Sequence, residues 1–219
     1  MASSTVEDYL KSILQIGEKN DGKVTVGQIA AELGVTPGTV SSMMRHLSEE
    51  DLIDYFPRRS VKLRSAGRKQ ALQVVRKHRI LETFLVKIME LDWAEVHEEA
   101  EILEHVLSDR LLQRMDEMLA HPSHDPHGDP IPDSEGNVTD QETIRLSEAE
   151  NNNYRVVRVD DSDPEFLDWL RLNHLMPGSE IDLKGIDPIT DIVELAISSG
   201  GEIVRLGKAA ASNILIEPR

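Results

Sequence analysis

Residues 26–64 hold the pattern that most restricts how this chain can fold. A short apolar helix is predicted first, and Gly34 ends it because glycine adopts the left-handed conformation of a helix C-terminus at little cost. Thr36-Pro37 then begins a second helix, with a hydroxyl cap and proline at the first helical position. Two short strand-like runs joined by a basic turn follow. This order predicts a winged helix-turn-helix.

The outward side of the second predicted helix is small and polar, so its backbone could enter a major groove. Adjacent arginines at the hairpin tip suit phosphate groups or a minor groove. We therefore predict binding to double-stranded DNA; the alternative is a plain three-helix core with a surface hairpin. The candidate DNA-binding residues are Thr36, Pro37, Gly38, Thr39, Ser41, Ser42, Arg45, Arg58, Arg59 and Lys62.

Charge is unevenly distributed along the 219 residues, which carry a formal net charge of −16. The first 75 residues hold 10 Lys and Arg against 9 Asp and Glu, and the remainder holds 14 against 31. A near-neutral head on an acidic body indicates two separate tasks. Because the field of the acidic body repels nucleic acid, DNA contacts are expected only from the head.

Several classes of protein are excluded by composition. The chain has no cysteine, which removes disulfides, thiolate metal sites and cysteine nucleophiles. Its apolar runs are far shorter than the ~20 residues of a membrane span. The first residues also lack the basic-then-apolar order of a signal peptide. We expect a cytoplasmic protein with no membrane partner.

One predicted helix, from Trp93 towards Leu119, carries the residues best suited to bind a metal. Imidazole and carboxylate groups spaced at three and four residues lie on one side of it, where they could converge on a cation. A divalent ion would relieve the repulsion between the carboxylates. The alternative is a solvated acidic face. These residues are His97, Glu101, Glu104 and His105, with His78 and Glu82 on the preceding predicted helix.

Residues 121–140 are rich in proline, glycine and aspartate, which predicts a linker. Histidines in such a segment are more often ordinary polar residues than ligands. Beyond it, several closely spaced strands and one helix, predicted at 165–175, argue for a small β-barrel or sandwich. The predicted strands are 154–159, 180–183, 192–197, 202–206 and 213–216.

The order of these parts, with the segments RKHRILETFL, VHEEAEILEHVLSD and GDPIP, resembles the diphtheria-toxin-repressor family over almost the whole chain. The likeness is closest to its manganese transport regulators. It implies a homodimer that binds operator DNA and represses metal-homeostasis genes when a metal joins the first helix to the dimerisation helices. It also implies that the C-terminal part is an SH3-like barrel of the kind found in ferrous-transport (FeoA) proteins.

The resulting fold class is mainly α with a small β portion, in four segments. These are a winged helix-turn-helix at 1–70, a helical metal-binding and dimerisation domain at 71–120, the linker at 121–140 and a FeoA-like β-barrel at 141–219.

The resemblance also implies a main metal site. Asp8, which in isolation would be an ordinary solvated carboxylate, becomes a ligand in its VEDYLKSI context. Iron-type members have methionine and cysteine where this chain has Asp8 and Glu101, so the hard oxygen donors favour Mn²⁺, with Fe²⁺ as the alternative. Lys11 stands where one manganese subtype has a carboxylate, and an ammonium group is not a ligand, so that subtype's two-metal cluster is not expected. The implied ligands are Asp8, His78, Glu101, Glu104 and His105.

Other family members build a second metal site between the KHR segment, the loop before PIP and the β domain. In this chain the resemblance implies Glu82, His97, Asp125 and His127, completed by Asp160 or Glu165.

Two further classes of function stay open as alternatives. One is a winged-helix regulator whose effector is an organic molecule. The other is a carboxylate-bridged metalloenzyme or an ion-storage protein, which would need glutamates from four helices and paired Glu-x-x-His motifs. Only one helix here carries a comparable cluster, and no nucleophile stands beside a base. We predict no enzymatic activity.

Overall fold

The computed structural model describes residues 3–56, 59–139, 141–198 and 201–219. It divides into two compact units that interleave along the chain. The first unit comprises Met1–His78, Leu103–Ser108 and Pro132–Val138. The second unit comprises Arg79–Ile102, Asp109–Ile131 and Thr139–Arg219. None of the described helices combines the length and apolarity that crossing a membrane requires.

The first unit has the winged helix-turn-helix that the sequence predicts. Its helices are α1 (Ser4–Lys19), α2 (Val26–Glu32) and α3 (Pro37–Glu49). Its wing pairs β1 (Ile53–Asp54) with β2 (Lys62–Leu63) in antiparallel register. The hydroxyls of Ser3, Thr25 and Thr36 accept backbone N–H groups at the starts of the three helices, as N-caps do.

Helix α1 is held by its apolar face, and that contact positions its polar side chains. Leu10 and Ile13 are buried in one cluster with Met44 and Leu47 of α3. Complete burial of such a side chain contributes about 1.5–3 kcal/mol, so the register of α1 is firmly set. Asp8 and Lys11 are therefore held on a fixed helix.

A long helix, α4 (Ser65–Lys87), begins in the first unit and continues into the second. Beyond it the predicted single helix from Trp93 towards Leu119 is wrong. The chain forms α5 (Val96–Leu103), then a turn, and then α6 (Asp109–Met118). The N–H groups of Val106 and Leu107 both donate to the Leu103 carbonyl, which closes a tight turn.

The second unit contains a small antiparallel sheet with one helix packed against it. Its elements are β3 (Ile144–Arg145), β4 (Asn153–Val159), α7 (Pro164–Leu172), β5 (Glu180–Ile186), β6 (Ile192–Ile197), β7 (Ile203–Gly207), α8 (Lys208–Ala211) and β8 (Ile214–Pro218). The strands run in the order β3-β8-β4-β5-β6-β7. Leu167 and Leu170 of the packed helix, α7, join the buried faces of the strands. No pairing joins β3 to β7 within the described residues, so the SH3-like sheet is open there.

The first half of the predicted linker, residues 121–131, is closely packed in the second unit. The Asp125 carboxylate accepts the backbone N–H groups of His127 and Asp129, both at 2.9 Å. Gly128 has φ +92°, and an added Cβ would lie 2.0 Å from the carbonyl oxygen of Val157 on β4. This segment is therefore a fixed loop that directs its side chains inward.

Candidate metal centres

In the first unit, Glu104 is a fully buried carboxylate surrounded by two donors from other helices. Lys11 Nζ on α1 donates to both of its oxygens, at 3.0 and 2.9 Å, and His78 Nδ1 on α4 lies 2.6 Å from Oε2. Burial opposes ionisation, but the His78 hydrogen bond and the Lys11 charge outweigh it, so the pKa of Glu104 is below its usual value. Glu104 is thus an anion at the centre of the site.

His105 lies in the same turn, between carboxylates of α1. Its Nδ1 is 2.8 Å from Glu7 Oε2, and its Nε2 is 2.7 Å from Asp8 Oδ1 and 3.5 Å from Glu104 Oε1. Burial lowers the pKa of His105, but the Glu7 hydrogen bond and the nearby negative charges raise it further than burial lowers it. Without metal, these surroundings therefore favour the protonated form of His105, whose charge offsets part of the negative charge of the site.

The donor set of this centre fits a divalent cation. Asp8, Glu104 and His105 each offer one ligand atom, and the three atoms lie within 4.8 Å of one another. If Nδ1–H of His105 keeps donating to Glu7, Nε2 is the nitrogen that faces Asp8 and can bind the ion. A carboxylate that orients a metal-binding histidine in this way is a recurrent feature of protein metal sites.

Four of the five ligands implied for the main site lie in the first unit: Asp8, His78, Glu104 and His105. Glu101 belongs to the second unit, where its Oε1 lies 3.6 Å from Nε2 of His97. Its part in the main site stays a prediction.

Two residues of this centre make contacts that the sequence did not predict. Glu7 follows Ser4 at the spacing of a capping box, and this local explanation gives no indication that Glu7 contacts His105. The structure places the N-cap at Ser3 and Glu7 on His105. Lys11 was expected only as a non-ligand, and nothing local indicates that its ammonium reaches a carboxylate 93 residues away.

The second unit holds another cluster, formed by Glu82 of α4, His127 of the 121–131 loop and Asp161 after β4. One ligand atom from each lies within 4.8 Å of the others, and Glu82 and His127 are fully buried. His127 Nε2–H donates to the Trp93 carbonyl at 2.8 Å, so the lone pair of the neutral imidazole is on Nδ1. That nitrogen lies 4.0 Å from Glu82 Oε2, a separation that two bonds of about 2.0–2.2 Å to one ion can span.

His97 borders the second cluster. Its Nδ1 is 3.2 Å from Glu82 Oε1 and 3.4 Å from Asp161 Oδ2. Hydrogen bonds to Asp161 and then Glu82 raise the pKa of His97 to about 10, against the effect of burial. Burial raises the pKa of Asp161, but the His97 hydrogen bond lowers it below its ordinary value. Without metal, a His97 cation therefore compensates the two carboxylates.

The Asp125 carboxylate mainly makes contacts that fix the 121–131 loop. Its Oδ1 accepts two backbone N–H groups of its own loop, and Arg79 Nε lies 3.5 Å from Oδ2. Burial, followed by the nearby Asp129 and Glu82 charges, raises the pKa of Asp125 well above its ordinary value, with Arg79 opposing. Its visible contribution is to fix His127.

The β-domain residue in this cluster is Asp161, one position beyond the Asp160 that the resemblance implies. Asp160 accepts the Ser162 N–H at 3.0 Å, and Glu165 is exposed in the first turn of α7. Residues 160–163 lie between β4 and α7 without regular structure, so no periodic pattern indicates which of their side chains faces the cluster. The sequence alone gives no signal for this offset.

The predicted DNA-binding residues are mostly exposed at the start and along one side of α3. Thr36, Pro37, Gly38, Thr39, Ser42 and Arg45 are exposed, and Ser41 is half-buried with its hydroxyl donating to the Pro37 carbonyl. On the wing, Lys62 is exposed, and Arg59 lies 6.0 Å from the centre of the Phe56 ring. Arg58 is outside the described residues. The small exposed face of α3 is the surface that groove entry requires.

Three protein-family models match successive parts of the chain. Residues 1–61 match the iron-dependent repressor N-terminal DNA-binding domain, and 64–133 match the iron-dependent repressor metal-binding and dimerisation domain. Residues 144–218 match the FeoA domain.

Some similar proteins and structures cover almost the whole of this chain. The diphtheria toxin repressor of Corynebacterium efficiens is 30% identical over 97% of this chain and 95% of its own. A manganese-dependent transcriptional repressor in complex with manganese shares 38% identity at a TM-score of 0.92, covering 97% of this chain and 99% of its own. ScaR with bound Zn²⁺ shares 33% identity at a TM-score of 0.83, covering 98% and 99%. The chain therefore belongs to the diphtheria-toxin-repressor family of metal-dependent transcriptional repressors.

Proposed function

We propose that this repressor is activated by Mn²⁺ bound at Asp8, Glu104 and His105, with His78 beside Glu104. The observation that carries the proposal is the convergence of these donors from α1 and from the turn after α5. In its metal-bound form the protein binds operator DNA as a homodimer. Glu101 is the fifth implied ligand, and the substitution Glu101→Gln tests whether it binds the ion.

The donor chemistry supports manganese. The main site offers carboxylate oxygens and imidazole nitrogens, and the chain has no cysteine, so thiolate, which attracts softer ions, is absent. One similar structure is described as a complex with manganese, and others carry Zn²⁺ or Cd²⁺. Fe²⁺ is the alternative physiological ion.

Helix α1 can transmit the effect of metal binding to the DNA-binding surface. Asp8 lies on the polar side of α1, whose apolar side packs with α3 in one core. An ion shared by Asp8, Glu104 and His105 fixes α1 to the turn at 104–105. In a dimer, that restraint selects the separation of two recognition helices that suits half-sites about one helical turn apart. The ion shifts the equilibrium between arrangements of the dimer only as far as it binds this arrangement more tightly than the others.

The homodimer is supported by apolar side chains exposed within the residues that match the dimerisation domain. Isolated exposed apolar side chains are ordinary, but a concentration of them in one stretch is typical of an interface. They are Ile88, Met89, Leu91, Ile102, Val106, Leu111 and Met118.

We further propose that Glu82, His127 and Asp161 bind a second divalent ion, with His97 and Asp125 beside them. This ion would join α4, the 121–131 loop and the residues after β4 inside the second unit. Its expected effect is stabilisation of that unit, because an ion that binds only the folded state raises its free energy of unfolding.

DNA binding with and without metal tests the proposal. A duplex is first selected from a random library by the full chain in Mn²⁺, and a mobility shift is then measured in Mn²⁺ or in chelator. We expect binding in Mn²⁺ only, and its loss in Asp8→Asn and His105→Gln. Glu99→Gln, an exposed glutamate of α5, is the matched control and should bind normally.

Equal DNA binding in Mn²⁺ and in chelator would contradict metal control. If calorimetry also shows no heat of Mn²⁺ binding to the wild-type protein, a regulator with an organic effector becomes the better explanation. A Glu101→Gln protein that retains wild-type Mn²⁺ affinity would remove Glu101 from the main site.

A further inference from the structure

Lys11 occupies an unusual position for a lysine. Its side chain is only 6% exposed, and its Nζ donates to both oxygens of the fully buried Glu104. The same nitrogen lies 3.2 Å from His78 Nδ1. Lysine is almost never buried unless it is paired, and here its partner is a carboxylate of the main metal centre.

A metal ion and this ammonium group compete for the same oxygens. Ligation through Glu104 must weaken at least one of the two N–H···O bonds, which are charge-assisted and therefore strong. A divalent ion and an ammonium group also repel each other when both lie against one buried carboxylate, because the surroundings screen them poorly. The two cations therefore do not share Glu104 without cost.

We propose that the Lys11 ammonium is a tethered cation that competes with the divalent metal for Glu104 and so lowers the affinity of the main site. In the metal-free protein it keeps the buried carboxylate neutralised and in place. When metal arrives, Lys11 is displaced from Glu104. The repressor thus responds only above a metal concentration that the lysine helps to set. This inference rests on the function proposed for the main site.

Substitution of Lys11 by methionine distinguishes competition from a purely structural part. Methionine keeps the length and apolar stem of lysine without its charge. If Lys11 competes with metal, Lys11→Met binds Mn²⁺ about tenfold more tightly, the change expected from removing one charge-assisted hydrogen bond. Its metal-free form should also melt at a lower temperature, because Glu104 loses a partner. If Lys11 only supports the fold, Mn²⁺ affinity falls instead.

The experiment uses the full chain, calorimetric titration with Mn²⁺ alone, and thermal melting in chelator. Lys11→Arg retains the charge and should not gain affinity, and Lys69→Met removes an exposed lysine of α4 and should match the wild type. Unchanged or weaker Mn²⁺ binding by Lys11→Met would overturn the inference. Absence of Mn²⁺ binding by the wild-type protein would instead overturn the proposed function.

If Lys11→Met does not fold without metal, amine labelling of the wild-type chain gives the answer. Modification is quantified by mass spectrometry with and without Mn²⁺, and Lys69 serves as the internal reference. Displacement from Glu104 should raise the labelling of Lys11 at least severalfold when metal is added. Labelling of Lys11 that stays unchanged at saturating Mn²⁺ would show that the ammonium is not displaced.

Discussion

At the scale of single residues, Glu7 has the contact with the clearest consequence. Its carboxylate lies 2.8 Å from Nδ1 of His105, which leaves Nε2 to face Asp8. Groups that orient a metal-binding histidine typically contribute 10–100-fold to metal affinity. We expect Glu7→Gln to weaken Mn²⁺ binding at least tenfold in calorimetry without loss of fold. Glu32→Gln, an exposed glutamate of α2, is the control. If the Glu7→Gln protein bound Mn²⁺ with wild-type affinity, Glu7 would have no role in orienting His105.

His97 makes the stability of the metal-free protein depend on pH. Its pKa is about 10 in the folded state against an ordinary 6.5, so the folded state holds this proton more tightly than the unfolded state. The resulting stabilisation is complete below about pH 6.5 and is lost as pH rises to about 10. Urea unfolding in chelator should show a difference between wild type and His97→Gln that shrinks over this range. A difference that does not change with pH would contradict the assignment.

The residues of the main site are easier to predict from the sequence than their contacts are. Motifs with fixed spacing contain the predicted ligands, so a resemblance to a family assigns them position by position. These ligands are Asp8, His78, Glu104 and His105. The contacts of Glu7 and Lys11 depend on how α1 meets a turn almost one hundred residues later, and no local pattern encodes that. Asp161 shows the same limit, because the direction of a side chain in an irregular turn follows from packing.

At the scale of elements, the loop at 121–131 is the part most dependent on one backbone conformation. Gly128→Ala would place a Cβ 2.0 Å from the Val157 carbonyl at a positive φ, so the loop must shift. We expect a loss of about 1–3 kcal/mol in unfolding free energy. Gly27→Ala in α2 is the control, because nothing lies within 4 Å of the added carbon and alanine favours a helix. Equal stability of the Gly128→Ala and wild-type proteins would show that the loop tolerates a side chain there.

Element boundaries were predictable where local chemistry decides them. Thr36-Pro37 begins α3 as the cap and proline rules require, and the strands of the β domain follow their alternating apolar residues. The predicted helix across residues 104–108 fails because periodicity ignores distant partners. Glu104 and His105 lie in the turn after α5, where their side chains contact groups on α1 and α4.

At the scale of the whole molecule, the acidic body and the near-neutral head make DNA binding depend on a few basic groups. Arg45, exposed on α3, is one of them. Arg45→Ala should raise the Kd for the selected duplex about tenfold in Mn²⁺, and salt should weaken binding of the wild type. Arg114→Ala, on α6, removes an exposed arginine outside the head and should change little. Equal effects of the two substitutions would place the DNA surface elsewhere.

Metal control of the whole molecule requires that donors from α1 and from the turn after α5 bind one divalent ion. A crystal of the full chain grown with Mn²⁺, with diffraction data that include the manganese anomalous signal, tests it most directly. We expect an anomalous peak bonded to Asp8, Glu104 and Nε2 of His105, with the Lys11 ammonium withdrawn from Glu104. Crystals of a protein that binds Mn²⁺ in solution but show no peak among these three side chains would contradict it.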